Sequence, residues 1–317
     1  MDKNFVLGVD VGGQTTKCGV VNANGIVVEQ TVIRSDTYDT FEPYLAELAQ
    51  TLKDLIAKAG VEGQVRGIGV GAPNANYYTG DIENAVNLKW GGSQAIHFAK
   101  MLEEQMEGIP VTLTNDANAA ALGEMTFGAA KGMKDFIMIT LGTGVGSGIV
   151  INGQMVYGHD GFAGELGHVA LVRNNGRLCN CGKTGCLETY CSATGVSRTA
   201  REWLDMTNEP SLLRGYDKIS AKDVNDCAKQ GDELSKRILA YTGTLLGKAL
   251  ADFVTFSAPE AIVLFGGLAR NREFMHDSIV ASMNDNLLPL WKNKIKIIYT
   301  SLKESDAAII GASALAW

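Results

Sequence analysis

What this sequence lacks narrows its function first. Its start, MDKNFVLGVDVGG, has no apolar run long enough for a secretory leader. The apolar stretches around 137–151 and 249–268 are broken by glycine, proline or charge, so no membrane span is expected. Positive charge is also short. Against 35 Asp and Glu stand 28 Lys and Arg, and the net charge of −7 argues against nucleic acid or an anionic membrane as main partner. ATP stays open, because backbone N–H groups and Mg²⁺ can meet its phosphates. Histidine is scarce at four residues, and His97, His159 and His276 sit in no cluster. What remains is ordinary for a soluble globular protein: 46% hydrophobic and 20% charged residues, in a length of 317 that suggests two domains of roughly 150 residues.

The fourth histidine is the exception. His168 lies upstream of Cys179-x-Cys181-x4-Cys186 in the segment Gly161–Glu188. Three thiolates and an imidazole make a closed tetrahedral zinc set, and Gly182 and Gly185 allow the tight turns that bring the sulfurs together. Ordinary buried cysteines are the alternative, but free cysteines rarely cluster in so polar a stretch. Cys18, Cys191 and Cys227 read as small buried residues of that kind. Glu165 and Glu188 bracket the loop, which makes it a rigid mount for polar ligand contacts. Zinc-type spacing without a leader points to a reducing cytoplasm.

E-x-G-H followed by C-x-C-G-x-x-G-C-x-E resembles the signature of the ROK sugar kinases. That resemblance implies a structural metal, with Glu165, His168 and Glu188 holding sugar hydroxyls.

The rest of the chain contains a long-period duplication. Phe5–Asp10 runs into Val11-Gly12-Gly13-Gln14-Thr15, then a strand over Cys18–Val21, an Asn24-Gly25 turn and a strand over Ile26–Ile33. Phe136–Leu141 runs into Gly142-Thr143-Gly144-Val145-Gly146-Ser147, then strand Gly148–Ile151, an Asn152-Gly153 turn and strand Gln154–Tyr157. Two such Gly/Thr turns suggest homologous lobes, each bringing N–H groups close to an anion. Neither fits a Walker or dinucleotide fingerprint, since both join strand to strand. The pair resembles the phosphate loops of the actin-like ATPases, to which ROK kinases belong.

Thr40–Ala59 predicts an amphipathic helix capped by Thr40, with Phe41, Leu45, Leu48, Leu52, Leu55 and Ile56 as its core stripe and Gly60 as its end. Arg66–Ala72 is a buried strand leading into Pro73–Tyr78, where Asn74 stands at a position the family often fills with glycine. Strand Val111–Thr114 delivers Asn115-Asp116-Ala117-Asn118 to an Ala-rich helix. Alone, Asp116 could be a helix cap. Ser220-x-x-Asp223 reads as a capping box, Glu233–Phe253 as a long helix with Gly243 and Gly247 at a close contact, and Ala261–Phe265 as a buried strand before Gly266-Gly267. Strand Lys294–Tyr299 and helix Ala307–Trp317 finish the chain.

The resemblance extends over nearly the whole chain and implies an α/β, actin-like (ribonuclease H-like) fold of two lobes. Residues 1–118 with about 304–317 would form one lobe and 119–303 the other, the last helix crossing back to the first lobe. It implies Asp116 as general base and Asn87 and Asn115 as sugar ligands, with Asp116 also touching the sugar. Asp10 would hold Mg²⁺. Gly12, Gly13, Gln14 and Thr15 would face Gly142, Thr143 and Gly144 around the phosphates, and Gly266 and Gly267 would lie against adenosine. Gln14 replaces the family's usual threonine. The expected activity is ATP-dependent phosphorylation of a hexose, glucose first and an N-acetylhexosamine second, in a homodimer. A sugar-binding regulator without catalysis and an ATPase working by conformational change are the competing classes. The chain begins on the first phosphate strand, so no N-terminal DNA-binding helices are expected.

Overall fold

The computed structural model describes residues 3–317. Its framework is two five-stranded sheets built on one plan. In the first, β1 (Phe5–Val11), β2 (Thr15–Asn22) and β3 (Val27–Arg34) form an antiparallel meander, and β4 (Val65–Gly71) and β5 (Val111–Thr114) extend it in parallel. The order is β3-β2-β1-β4-β5. In the second, β6 (Phe136–Leu141), β7 (Val145–Ile151) and β8 (Gln154–Met155) form the meander, and β9 (Ala261–Phe265) and β10 (Lys296–Tyr299) the parallel extension. Its order, β10-β9-β6-β7-β8, is the same arrangement seen from the other edge, so the duplication in sequence is a duplication in topology.

Parallel neighbours need crossovers, and helices supply them. In the first half these are α1 (Phe41–Ala59) and α2 (Phe98–Gln105). α3 (Asp116–Phe127) leaves β5 towards the second half, where α4 (Glu188–Cys191), α5 (Ala193–Met206), α6 (Ala221–Lys229) and α7 (Glu233–Ser257) precede β9 and α8 (Arg272–Asn286) follows it. α9 (Glu304–Ser313) ends in a 3₁₀ turn at Ala314–Ala316 and lies on β1 and β4, a return to the first sheet as expected. It also crosses α3 so closely that a Cβ at Gly123 would stand 2.7 Å from Gly311.

Most sequence boundaries hold within two residues, with some differences. Thr40 makes no side-chain capping bond; α1 is fixed instead by its buried stripe and by Gly60, left-handed at φ +66. The second glycine turn is only three residues long, because Val145–Ser147 already belong to β7. β8 stops at Met155, α7 continues to Ser257, and α9 starts at Glu304. The Ser220/Asp223 capping box is present, and Gly243 and Gly247 do let α7 approach α8. Each half has its own apolar core, one between α1, α2 and the first sheet, the other under α5–α8. Cys18, Cys191 and Cys227 are fully buried in these cores. Among the described residues no helix is long and apolar enough to cross a membrane.

Candidate active site in the cleft

A cavity of about 1000 Å³ opens between the two sheets. Asp10, Gly12, Gly13, Asn87, Asn115 and Asp116 reach it from one side. Gly142, Thr143, Gly144, Glu165, His168 and Glu188 reach it from the other, with Gly266 at one end. Four expected residues are not on its wall. Gln14 is exposed and its carbonyl is occupied by the N–H groups of Ser35 and Asp36. Thr15 opens β2 and accepts from Gly12 N–H at 3.0 Å, Gly267 precedes the 3₁₀ turn Leu268–Asn271, and Cys186 is fully buried.

β5 ends at Thr114, and the next two side chains set the start of α3. Asn115 is the cap: its Oδ1 accepts from Ala117 N–H at 2.9 Å. Asp116 is therefore inside the helix, and its Oδ1 accepts from the same N–H at 2.8 Å. Its carboxylate is open to the cleft, where a small solute can reach it. The protein around the cleft raises its pKa by desolvation, and the N–H groups of Ala117 and its own backbone oppose the rise. Asp10, at the end of β1, is pushed up to about 6, by burial first and then by the charge of Asp116, with Lys17 opposing. Two carboxylates this close, the charge of Asp116 raising Asp10, make a good seat for a cation.

The glycine turns follow these groups on both sides. A Cβ at Gly13 would stand 2.6 Å from the Asn87 carbonyl, so the first turn rests on the segment carrying Asn87. That segment is anchored by Trp90, stacked on Tyr44 with centroids 4.5 Å apart. The second turn rests on Glu188, whose Oε2 accepts from Val145 N–H at 2.9 Å and fills the space a side chain at Gly144 would need. α5 holds it from outside. Ala193 N–H donates to the Gly142 carbonyl at 2.8 Å, and Thr194 Oγ1 donates to the Thr143 carbonyl at 3.0 Å.

His168, Cys179, Cys181 and Cys186 do converge, their ligand atoms all within 4.8 Å of one another. Cys181 Sγ and Cys186 Sγ are 3.7 Å apart, as are Cys179 Sγ and His168 Nδ1. Sulfurs bound at about 2.3 Å to one tetrahedral ion would be about 3.8 Å apart, so the set fits a metal. Burial and the neighbouring thiols push Cys186 up to about 12, the opposite of what a bare thiolate cluster would need; a cation at the centre reverses that preference. The other imidazole nitrogen of His168, Nε2, stands 3.8 Å from Glu165 Oε2, so one ring faces both the sulfurs and the cleft. Glu165 is raised by burial, while His168 opposes and the charges of Asp116 and Glu188 add to the rise. Gly182 and Gly185 have φ of +86 and +79, as the tight loop requires.

Sequence reasoning missed several cleft residues. Thr194 and Ser192, the cap of α5, carry a helix-start signal that could have been read. Arg198, one turn further on, and Asn118, buried with an unpartnered Oδ1, carry none. Asn74 adopts φ +52, a left-handed conformation open to glycine and tolerated by asparagine, and its Nδ2 closes the turn on the Asn84 carbonyl at 2.9 Å.

The profile of the ROK family matches residues 6–317. A glucokinase of Halalkalibacterium halodurans is 37% identical, the match covering 98% of this chain and 94% of that one. The crystal structure of a ROK family glucokinase from Streptomyces griseus in complex with glucose and AMPPNP superposes with a TM-score of 0.79 at 31% identity, over 98% of each chain. A ROK hexokinase from Thermus thermophilus superposes at 0.82 with 28% identity, over 98% of this chain and 97% of that one.

Proposed function

The chain belongs to the ROK family, and from that premise we propose that its cleft transfers the γ-phosphoryl group of ATP to the 6-hydroxyl of glucose. The lobes are taken as residues 1–118 with 304–317, and 119–303. The observation that carries the reading is Asp116, open to the cleft at the head of α3, with a glycine turn on either side and the metal loop opposite.

The hexose would lie with its 6-hydroxyl at Asp116, near Asn87 and Asn115. Glu165, Nε2 of His168 and Glu188 would take hydroxyls at the far end of the ring. Asp116 accepts the hydroxyl proton as the O6–Pγ bond forms and the bond from Pγ to the bridging oxygen of ADP breaks. A carboxylate raised by its surroundings suits this step, because the hydroxyl becomes acidic only as the new bond develops. Gly12 and Gly13 on one side, and Gly142, Thr143 and Gly144 on the other, offer N–H groups to the phosphates. Gly266 would lie along the nucleoside. Mg²⁺, held with Asp10, would neutralise phosphate charge. Zinc is the metal that three thiolates and an imidazole select, and its part is to fix the loop rather than to react. A reduced, cytoplasmic setting keeps those thiols free, and the family resemblance points to a homodimer, which sedimentation would read.

The test is a phosphorylation assay over a panel of hexoses, with ATP consumption followed in the absence of sugar. We expect kcat/KM for glucose to exceed that for mannose, fructose and N-acetylmannosamine. An N-acetylhexosamine ahead by tenfold overturns glucose as substrate. Hexose binding without any transfer overturns the kinase in favour of a sugar-binding regulator.

A further inference from the structure

A first-lobe loop, residues 73–84, leaves the end of β4 and crosses to the second-lobe segment that carries Glu165. Asn76 is its pin. The residue is 5% exposed. Its Nδ2 donates to Glu83 Oε1 at 3.0 Å and to the Asp160 carbonyl at 2.9 Å, and its Oδ1 accepts from Tyr78 N–H at 3.0 Å. Tyr78 Oη donates to the Gly158 carbonyl at 2.8 Å. Tyr77 lies flat against Tyr157, with centroids 3.9 Å apart and planes 4° from parallel. Gly161, at φ +92, packs under the pin so tightly that a Cβ there would be 2.5 Å from Asn76 Oδ1. Asn76, Tyr77, Tyr78 and Tyr157 all lie off the cleft wall. None is placed to touch a ligand there, yet all converge on residues 157–161, just before Glu165.

We propose that Asn76, with the tyrosines beside it, is a positioning residue that holds the Gly161–Glu165 segment ready for the hexose. The proposal rests on the hexose reading of this cleft. The three residues between Gly161 and Glu165 include a second left-handed glycine, Gly164 at φ +96, and such a segment has many conformations when free. Fixing it before the sugar arrives removes an ordering cost from binding, which is how a residue outside the site sets affinity. Asn76 is suited to this because its amide is fully used in one geometry only: two donors point to two lobes and the acceptor points back to its own loop. Nothing in this brace touches the glycine turns, so ATP should not feel it.

The experiment measures hexose dissociation constants by calorimetry, KM for ATP, and bound metal, for wild type, Asn76→Ala and Tyr78→Phe. Asn76→Ala should weaken glucose binding about tenfold, while KM for ATP stays within about twofold and metal content is unchanged. Tyr78→Phe, which removes one hydroxyl and keeps the ring, should weaken glucose by about two- to fivefold. A folded Asn76→Ala with wild-type glucose affinity overturns the proposal, and so does equal weakening of glucose and ATP, the mark of a merely structural role. Should Asn76→Ala fail to fold, Tyr78→Phe decides: unchanged glucose affinity overturns the proposal. The readout is binding, so it does not require turnover. A wild type that binds no hexose overturns the hexose reading itself, and is recognised before any variant is made.

Discussion

The two glycine turns hold matching places in the two sheets and are supported in different ways. Each rests on a segment assigned to the hexose, Gly13 on the Asn87 backbone and Gly144 on the Glu188 carboxylate. The first contact is backbone against backbone, held by an aromatic cluster around Trp90 and Tyr44. The second is backbone against a side chain that starts α4, two residues after Cys186, with its Oε1 3.7 Å from Cys179 Sγ. A duplicated framework has thus acquired one turn held by backbone and aromatic packing and one that depends on the cysteine loop. Phosphate and sugar contacts in the second lobe should therefore fail together, whereas those in the first lobe should fail singly.

The largest effect should come from the group that both turns flank. Asp116→Asn keeps the shape of the α3 start, since Asn115 supplies the cap, and removes only the proton acceptor. We expect kcat to fall by at least about 10²-fold, with hexose binding within a few-fold. Steady-state kinetics paired with calorimetry read both. Near-normal kcat would dismiss Asp116 as the base and leave the two turns as a binding device only.

Next in size is loss of the metal. Cys181→Ser should release the ion and weaken hexose and ATP together, each by about tenfold or more, because the loop carries Glu165 and supports the second turn through Glu188. Elemental analysis and the two KM values are the measurements. Weakened hexose with unchanged ATP would break the comparison, since it would mean that the second turn stands without the loop. Elemental analysis finding no zinc in active protein would remove the metal from the account altogether.

Why this difference between the turns was invisible in the sequence has a physical answer. Both read as Gly/Thr-rich links between apolar runs, and β5, β6 and β9 were legible to the residue from their apolar runs. The second turn looked six residues long because Gly146 suggests a loop. Gly146 and Gly148 are both strand residues with no room for a side chain: a Cβ added to them would stand 2.9 Å from Ala117 Cβ and 2.6 Å from Ala121 Cβ respectively, where α3 presses on β7. The convergence of His168, Cys179, Cys181 and Cys186 was legible because the chemistry of a candidate metal set restricts the residue types. The brace at Asn76 and the bond from Thr194 to the second turn were not, because neither a loop asparagine nor a threonine in the first turn of a helix reveals its partner, here 84 or 51 residues away. α2 and α8 escaped notice for a related reason: α2 is only eight residues long, and α8 buries just four of its fifteen.

A smaller effect distinguishes positions within the second turn. Gly144→Ala must displace Glu188, so it should lower stability by about 1–3 kcal/mol before any ligand is added, the usual cost of overpacking. Gly142 has open space where its Cβ would be, so Gly142→Ala should melt with the wild type and act, if at all, on KM for ATP. Thermal melts of the two variants without ligand make the comparison. Equal melting temperatures would show that Glu188 swings aside freely and is no support.

The smallest effect belongs to the first turn and concerns pH. Asp10 must be ionised to hold a cation, and its pKa in the free protein is pushed up to about 6, chiefly by burial and then by Asp116. A raised carboxylate is charged only above its folded pKa, so kcat/KM, which reports the free enzyme, should be level at neutral pH and fall as pH drops through about 6. Lys17 pairs with Asp10 across β1 and β2, and its positive charge opposes the rise. Lys17→Met removes that opposition, so the acid limb should move to higher pH, with a loss of about twofold at the wild-type midpoint and little change at neutral pH. Glu188, the carboxylate of the other turn, accepts from Val145 N–H and is no partner of the Asp10–Lys17 pair, so a matched Lys17→Met in the Gly144→Ala background should shift the limb by the same amount. Equal shifts would mean that the two turns titrate and fail independently. A limb that stays near the ordinary carboxylate range in both proteins would mean that water in the cleft solvates Asp10 well enough to cancel its burial.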